Sequence, residues 1–173
     1  MSLQHLWAGW RREYIVEATA RERSGGVSHD EVDCVFCRLA ASGAPSEDNL
    51  VVWRGKTAFV VLNAYPYASG HLLVLPLRHV GALAELTGEE STELWAATQK
   101  AVAAIEAAYE PDGLNIGANL GRAAGAGIPS HLHFHVLPRW SGDTNFMTAV
   151  AETRVMPETL QQSWKRLSDA WPG

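Results

Sequence analysis

Three shortages bound the function before any motif is considered. The chain has only two cysteines, Cys34 and Cys37, too few and too close together for a disulfide framework. It has no apolar run near the roughly 20 residues that span a bilayer, and no cationic flank leading into an apolar stretch at the N-terminus. It also lacks positive charge: the formal net charge is -5, which excludes a broad electrostatic grip on nucleic acid but leaves room for a small anion held by local donors. A cytoplasmic protein without membrane or nucleic-acid partners is expected. A cytosolic Cys-x-x-Cys points to metal or redox chemistry.

What is present fits a single domain with extensions. The 173 residues are 47% hydrophobic and 19% charged, enough to bury a real core. The segment 1–32, with "LQHLWAGWRREYI" followed by "ERSGGVSHDE", reads as an arm and a loop. A domain over 33–150 follows, and 151–173 forms a helical extension. Within the domain, "NLVVWR", "TAFVVLN" and "GHLLVLP" have the Val and aromatic content of strands. Thr87 and Glu90 have capping-box spacing ahead of a helical repeat through Leu94, Thr98, Ala101, Val102, Ile105 and Tyr109. Pro111 and Gly113 should end that helix. "LNIGANL" alternates as a fourth strand, and "GRAAGAGIPS" is a loop. Leu160, Trp164, Leu167 and Trp171 form a last helical stripe behind Pro157, a residue suited to a first turn. The expected class is α+β, with a mainly antiparallel five-stranded sheet, one long helix and a C-terminal helix.

Three of the seven histidines occupy alternate positions in "PSHLHFHVLPRW". In a strand, His131, His133 and His135 share one face, while Leu132, Phe134 and Val136 anchor the other. Aligned imidazoles can be a solvated face, a metal site, or a nucleophile with a proton-handling neighbour. The metal option lacks a nearby carboxylate. The loop before them favours a phosphate ester, because Gly121, Gly125 and Gly127 let backbone amides approach an anion. Asn119, on the polar side of the preceding strand, would join the same pocket.

The pattern "HLHFHVL" resembles the signature of the histidine-triad (HIT) superfamily of nucleotide hydrolases and transferases. "DCVFCRL", "FVVLNAYPYASGHLLVLPLRHV" and "GLNIGANLG" match in the family's order over Asp33 to Trp140. "LWAGWRREYI" and "PRWSGDTNF" resemble the bacterial diadenosine tetraphosphate phosphorylase branch. The resemblance implies a HIT-like fold and a covalent nucleotidyl-histidine on His133. His135 would assist the leaving oxygen, and Asn119 and loop amides would hold phosphate oxygens. Phe36 and Val61 would sandwich the base, Asn63, eight residues before His71, would meet the ribose, although Asn63 also suits a turn cap, and His71 itself would join the nucleotide-binding residues. With phosphate as acceptor, diadenosine tetraphosphate would yield ATP and ADP; with water the enzyme would be a hydrolase. A nucleotide-binding interaction module with little turnover, a phosphoramidate or other dinucleotide hydrolase, and a metal-dependent hydrolase are the alternatives.

The same resemblance implies a structural zinc on Cys34, Cys37, His79 and His131. No catalytic metal is required, although the substrate can carry Mg. Relatives commonly place Gln or Ser where this chain has Gly127 and Ile128, and Ser130 is the candidate to replace that contact. Trp140 and Asn145 fit the phosphorylase branch, or brace the loop after the triad. Relatives form dimers by joining two sheets, so a homodimer or higher homo-oligomer is expected.

Overall fold

A computed structural model describes residues 34–143 and 156–173. The N-terminal arm expected over 1–32, and Asn145, lie outside the described residues. The elements in chain order are α1 (Val35–Ala40), β1 (Val51–Arg54), β2 (Ala58–Leu62), β3 (Leu72–Pro76), α2 (Gly88–Tyr109), β4 (Gly113–Gly117), β5 (Phe134–Arg139) and α3 (Leu160–Asp169). The strands form one sheet in the order β1-β2-β3-β5-β4, antiparallel at every pairing. No described helix is long and apolar enough to cross a membrane.

β2 and β3 are buried along their whole length because both sheet faces are covered. Alternation divides their side chains. Ala58, Val60, Leu62, Leu72 and Val74 join Leu94, Ala97, Ala101, Ala104 and Ile105 of α2 and Leu167 of α3 in one core. Phe59, Val61, Leu73 and Leu75 turn the other way, to Cys34 and Phe36. The alanines of α2 have no bulk, so the helix lies close to the sheet.

Local chemistry sets the boundaries. Thr87 caps α2 reciprocally with Glu90, as the spacing predicts, and Glu110 ends the helix in a left-handed conformation just before Pro111. α3 is capped by Thr159 with Gln162, so Pro157 stands two residues ahead of the cap rather than in the first turn. Trp164 Nε1 donates to Val51 O at 2.8 Å, and Trp171 stacks on Trp53, which fixes α3 over β1. At the β1–β2 turn, the Glu93 carboxylate accepts from the amides of Lys56, Thr57 and Ala58 and from the Thr57 hydroxyl, tying the hairpin to α2.

Two expectations need correction. Residues 35–40 form a helix that carried no helical signature. The triad strand also begins only at Phe134, after the first two histidines. The alternation of side chains persists regardless: Leu132 and Val136 enter the α2 core, and Phe134 packs against it.

Candidate active site

In antiparallel pairs, opposed residues project from the same face. Val61 opposes Leu73, Leu73 opposes His135, and His135 opposes Gly117, so these positions make one row across the sheet on the α1 side. That row floors a cleft of about 740 Å³, walled by Phe36 and Leu39 of α1, by Leu50, Asn63 and Tyr67, and by Asn119, Gly125, Gly127 and Ile128. His133 and His135 open into it.

The three imidazoles stand in a row, with different partners at each end. His133 is 5.1 Å from His135 between ring centroids, and Phe36 touches both His131 and His133, at 5.5 and 5.2 Å. His133 Nδ1 lies 2.8 Å from the carbonyl oxygen of His131. A carbonyl only accepts, so Nδ1 carries the hydrogen and Nε2 keeps its lone pair. Burial, partly opposed by that hydrogen bond, pushes the His133 pKa below the usual histidine value, which favours the neutral ring.

His135 belongs to a chain that starts outside the triad. The amide of Tyr67 donates to His71 Nδ1 at 3.1 Å, so this nitrogen is an acceptor. His71 Nε2 therefore bears the hydrogen and donates to His135 Nδ1 at 2.9 Å. The proton of His135 is thereby fixed on Nε2. Asn63 reaches His71 Nδ1 at 3.3 Å through Nδ2, and its Oδ1 accepts from the Tyr65 amide at 3.0 Å. Tyr67 lays its ring nearly parallel to His135 and 4.6 Å from His71. Gly70, at φ +77°, holds the turn before His71; a Cβ there would fall 2.6 Å from the Tyr109 ring.

His131 faces the other way. It is fully buried, and its Nε2 donates to Pro76 O at 2.9 Å, which leaves Nδ1 as a ligand atom. Burial depresses its pKa to about 4. Nδ1 lies 3.4 and 3.5 Å from the sulfurs of Cys34 and Cys37, and His79 Nδ1 lies 3.1 Å from Cys37 Sγ. All four donor atoms fall within 4.8 Å of one another. Tetrahedral zinc with ordinary bond lengths would set neighbouring ligands roughly 3.3–3.8 Å apart, so the donors fit that ion. Helical spacing explains the cysteines: Cys34 is the N-cap of α1 and Cys37 follows one turn later. Arg54 seats this short helix by donating to the carbonyls of Leu39, Ala40 and Gly43.

Of the sequence-predicted residues, Phe36, Val61, Asn63, Asn119, Gly125, Gly127, His133 and His135 line the cleft. Asn119 does so from beyond the end of β4, not from within it. His71 stands behind His135 rather than in the lining. Ser130 is not brought to the cleft; its hydroxyl is buried without a described partner. Trp140 is not brought there either, and packs edge-on against Tyr109 at the end of α2. The amides of Gly125 and Ala126 are spent within the loop, on Arg122 O and Gly121 O. Leu39, Leu73, Ile128, Tyr67 and Asp48 also line the cleft and carried no sequence signal beyond their neighbourhood.

Comparison with known proteins matches this geometry. Residues 45–142 match the HIT domain family. The chain is 42% identical to the AP-4-A phosphorylase of Mycobacterium tuberculosis over 98% of its own length and 85% of that protein. It is 37% identical to the asymmetrical bis(5'-nucleosyl)-tetraphosphatase of Schizosaccharomyces pombe over 54% of the chain and 50% of that protein. A Zn-bound histidine triad family protein from Mycobacterium smegmatis superposes with a TM-score of 0.65 at 29% identity, covering 82% of this chain and 94% of that one. A chain segment that brings His133, just before β5, and His135, within it, to a nucleotide-sized cleft is thus accompanied by sequence similarity along nearly the whole chain, and the protein belongs to the HIT family.

Proposed function

We propose that the protein is a nucleotidyl transferase that splits diadenosine tetraphosphate with inorganic phosphate, yielding ATP and ADP. One observation carries this reading: His133 presents Nε2 as a lone pair beside His135, whose hydrogen is fixed on Nε2 by the chain from Tyr67 through His71. A nucleophile and a proton donor of opposite tautomers thus stand side by side.

His133 Nε2 attacks an α-phosphorus. A P–N bond forms as the P–O bond to the departing ATP breaks, and His135 Nε2–H stabilises the leaving oxygen. The attacking ring gains positive charge, which its Nδ1–H shares with the His131 carbonyl. Inorganic phosphate then attacks the same phosphorus, releases His133 and gives ADP. Phe36, Leu39, Val61 and Ile128 hold the base, and Asn63 meets the ribose. Asn119 receives phosphate oxygens together with the amides of Gly127 and Ile128, which make no hydrogen bond among the described residues. Backbone amides thus stand in for the side chain that relatives place at those positions.

Cys34, Cys37, His79 and His131 are assigned to zinc. When bound, the ion supplies a cross-link, because four protein ligands leave it no open position. It would bind α1, and with it Phe36, to the start of the triad. We further infer a cytoplasmic homodimer joined through the exposed edge of β4. Ile116 on β4 and Leu120 just beyond its end are large apolar side chains about half exposed.

The deciding assay incubates the protein with diadenosine tetraphosphate, with and without inorganic phosphate. Equal ATP and ADP formed only with phosphate supports phosphorolysis. Phosphate-independent cleavage makes it a hydrolase, and absence of turnover with no adenylyl adduct by mass spectrometry removes the covalent mechanism.

A further inference from the structure

The cleft contains one feature that the transfer chemistry does not use. Among the described residues its lining includes no lysine or arginine, and its single carboxylate is Asp48. A carboxylate repels a polyphosphate, so its position in the cleft matters. α1 gives the direction. Cys34 begins the helix beside His131, Phe36 touches His133, and Leu39 continues the apolar wall away from the triad. The helix ends at Ala41, and Ser42 Oγ accepts from Asn49 Nδ2 at 3.1 Å. Asp48, next to Asn49, therefore lies at the end of the helix away from the triad, which in the proposed pose is the base end and not the phosphate end.

The segment that carries Asp48 is fixed from both sides. Asn49 Oδ1 accepts from the amides of Ser46 and Val51, each at 3.0 Å, and Nδ2 donates also to Ala44 O at 2.9 Å. Leu50 is held at φ +57°, a conformation leucine adopts only under constraint, with its carbonyl accepting from the Leu62 amide. Asp48 itself is exposed and makes no hydrogen bond or ion pair among the described residues. A rigid turn thus presents an unspent acceptor to the base end of an apolar cleft.

We infer that Asp48 is a specificity residue that accepts a hydrogen bond from the exocyclic amine of the bound base, as adenine presents it. A carboxylate can only accept, and an amine donor satisfies it with a charge-assisted bond. A purine without the amine presents a C–H at that position, which replaces no charge-assisted bond, and its ring nitrogens offer lone pairs that the carboxylate repels. This inference rests on the nucleotidyl-transfer reading for the identity of the cleft's occupant.

The test compares diadenosine tetraphosphate with the same dinucleotide carrying unsubstituted purine in place of adenine. The wild type should prefer adenine by about tenfold in kcat/KM, through KM and not kcat. Asp48→Ala should bring the ratio to about one, and Asp48→Asn, which keeps an acceptor oxygen, should fall between. A ratio unchanged in Asp48→Ala overturns the inference while leaving the transfer reading intact. If neither dinucleotide is turned over, the transfer reading fails on its own. The inference is then decided by calorimetric binding of AMP against purine riboside 5'-monophosphate to wild type and Asp48→Ala, with the same ratios expected.

Discussion

His131 and His135 are the same residue type, four positions apart in one repeat, yet they do different work. His131 gives its Nε2 hydrogen to Pro76 and turns Nδ1 to two cysteines. His135 gives its Nδ1 to His71 and is left with a buried Nε2–H, on a ring that lines the cleft. Each ring has one nitrogen committed to a fixed partner, and that partner decides what the other nitrogen can do. His133 lies between them and borrows from the first, since its own hydrogen goes to the His131 carbonyl. His131 therefore sets the tautomer of the proposed nucleophile, and in the proposed mechanism His135, at the other end, supplies the hydrogen to the leaving oxygen.

The largest effect is expected at the residue both ends serve. His133→Ala should lower kcat by at least about 10⁴-fold, with no adenylyl adduct by mass spectrometry and an unchanged thermal midpoint. The flanking variants should then separate by readout. His131→Ala should reduce bound zinc from about one per chain to none, and lower the thermal midpoint by about 10 °C, as loss of a few kcal/mol does in a chain of this size. His135→Ala should retain zinc and midpoint but lose about 10²–10³ in kcat. Should His135→Ala shed zinc, or His131→Ala keep it, the division of labour would be wrong.

Tyr67 sharpens the relay end. Its amide fixes the tautomer of His71, and its ring covers both His71 and His135. Only the ring can be removed by substitution. Tyr67→Leu should lower kcat by about tenfold, because the ring packs on both imidazoles and holds them in the alignment that fixes the His135 hydrogen on Nε2. Tyr67→Phe should restore most of it. Steady-state kinetics decides: a loss confined to KM would assign Tyr67 to binding alone, and equal losses in both variants would assign the effect to its hydroxyl and not its ring.

Much of this was legible in the sequence where the signal is local. The capping box at Thr87 and Glu90, five strands with turn residues between them, and the alternation of the triad all rest on spacings of two to four residues. The cleft's floor follows from register, because Val61, Leu73 and His135 oppose one another across the sheet. What stayed hidden depends on long-range contact. His71 and His135 are 64 residues apart, and nothing local makes one the partner of the other. α1 is six residues long, too short to show a period, and is held from outside by Arg54. Trp140 fits the phosphorylase branch by sequence, but in space it packs against Tyr109.

The smallest expected effect bears only on the structural end. Arg78 donates to both Glu90 oxygens at 2.8 Å and to Glu85 O, and it immediately precedes His79. Val80, next in chain, accepts from the Leu132 amide at 2.7 Å. This ion pair thus braces the segment that carries one of the four candidate metal ligands and touches the backbone beside another. The Arg78 guanidinium, with the Thr87 amide, holds the Glu90 carboxyl at about 2, against an ordinary 4.5. A carboxyl whose pKa is lowered on folding favours the folded state above its unfolded pKa, and that contribution drains as pH falls through the folded value. Glu90→Gln keeps the capping geometry, since glutamine serves as well at that position, and removes only the charge. Because Arg78 is half exposed, the gap in urea unfolding free energy should be on the order of 1–2 kcal/mol at neutral pH, and it should narrow between about pH 4.5 and 2. A gap that held constant to pH 2 would mean the charge contributes nothing and the pair acts through packing. A gap in kcat as large as that of His135→Ala would mean the two ends of the row are not separable after all.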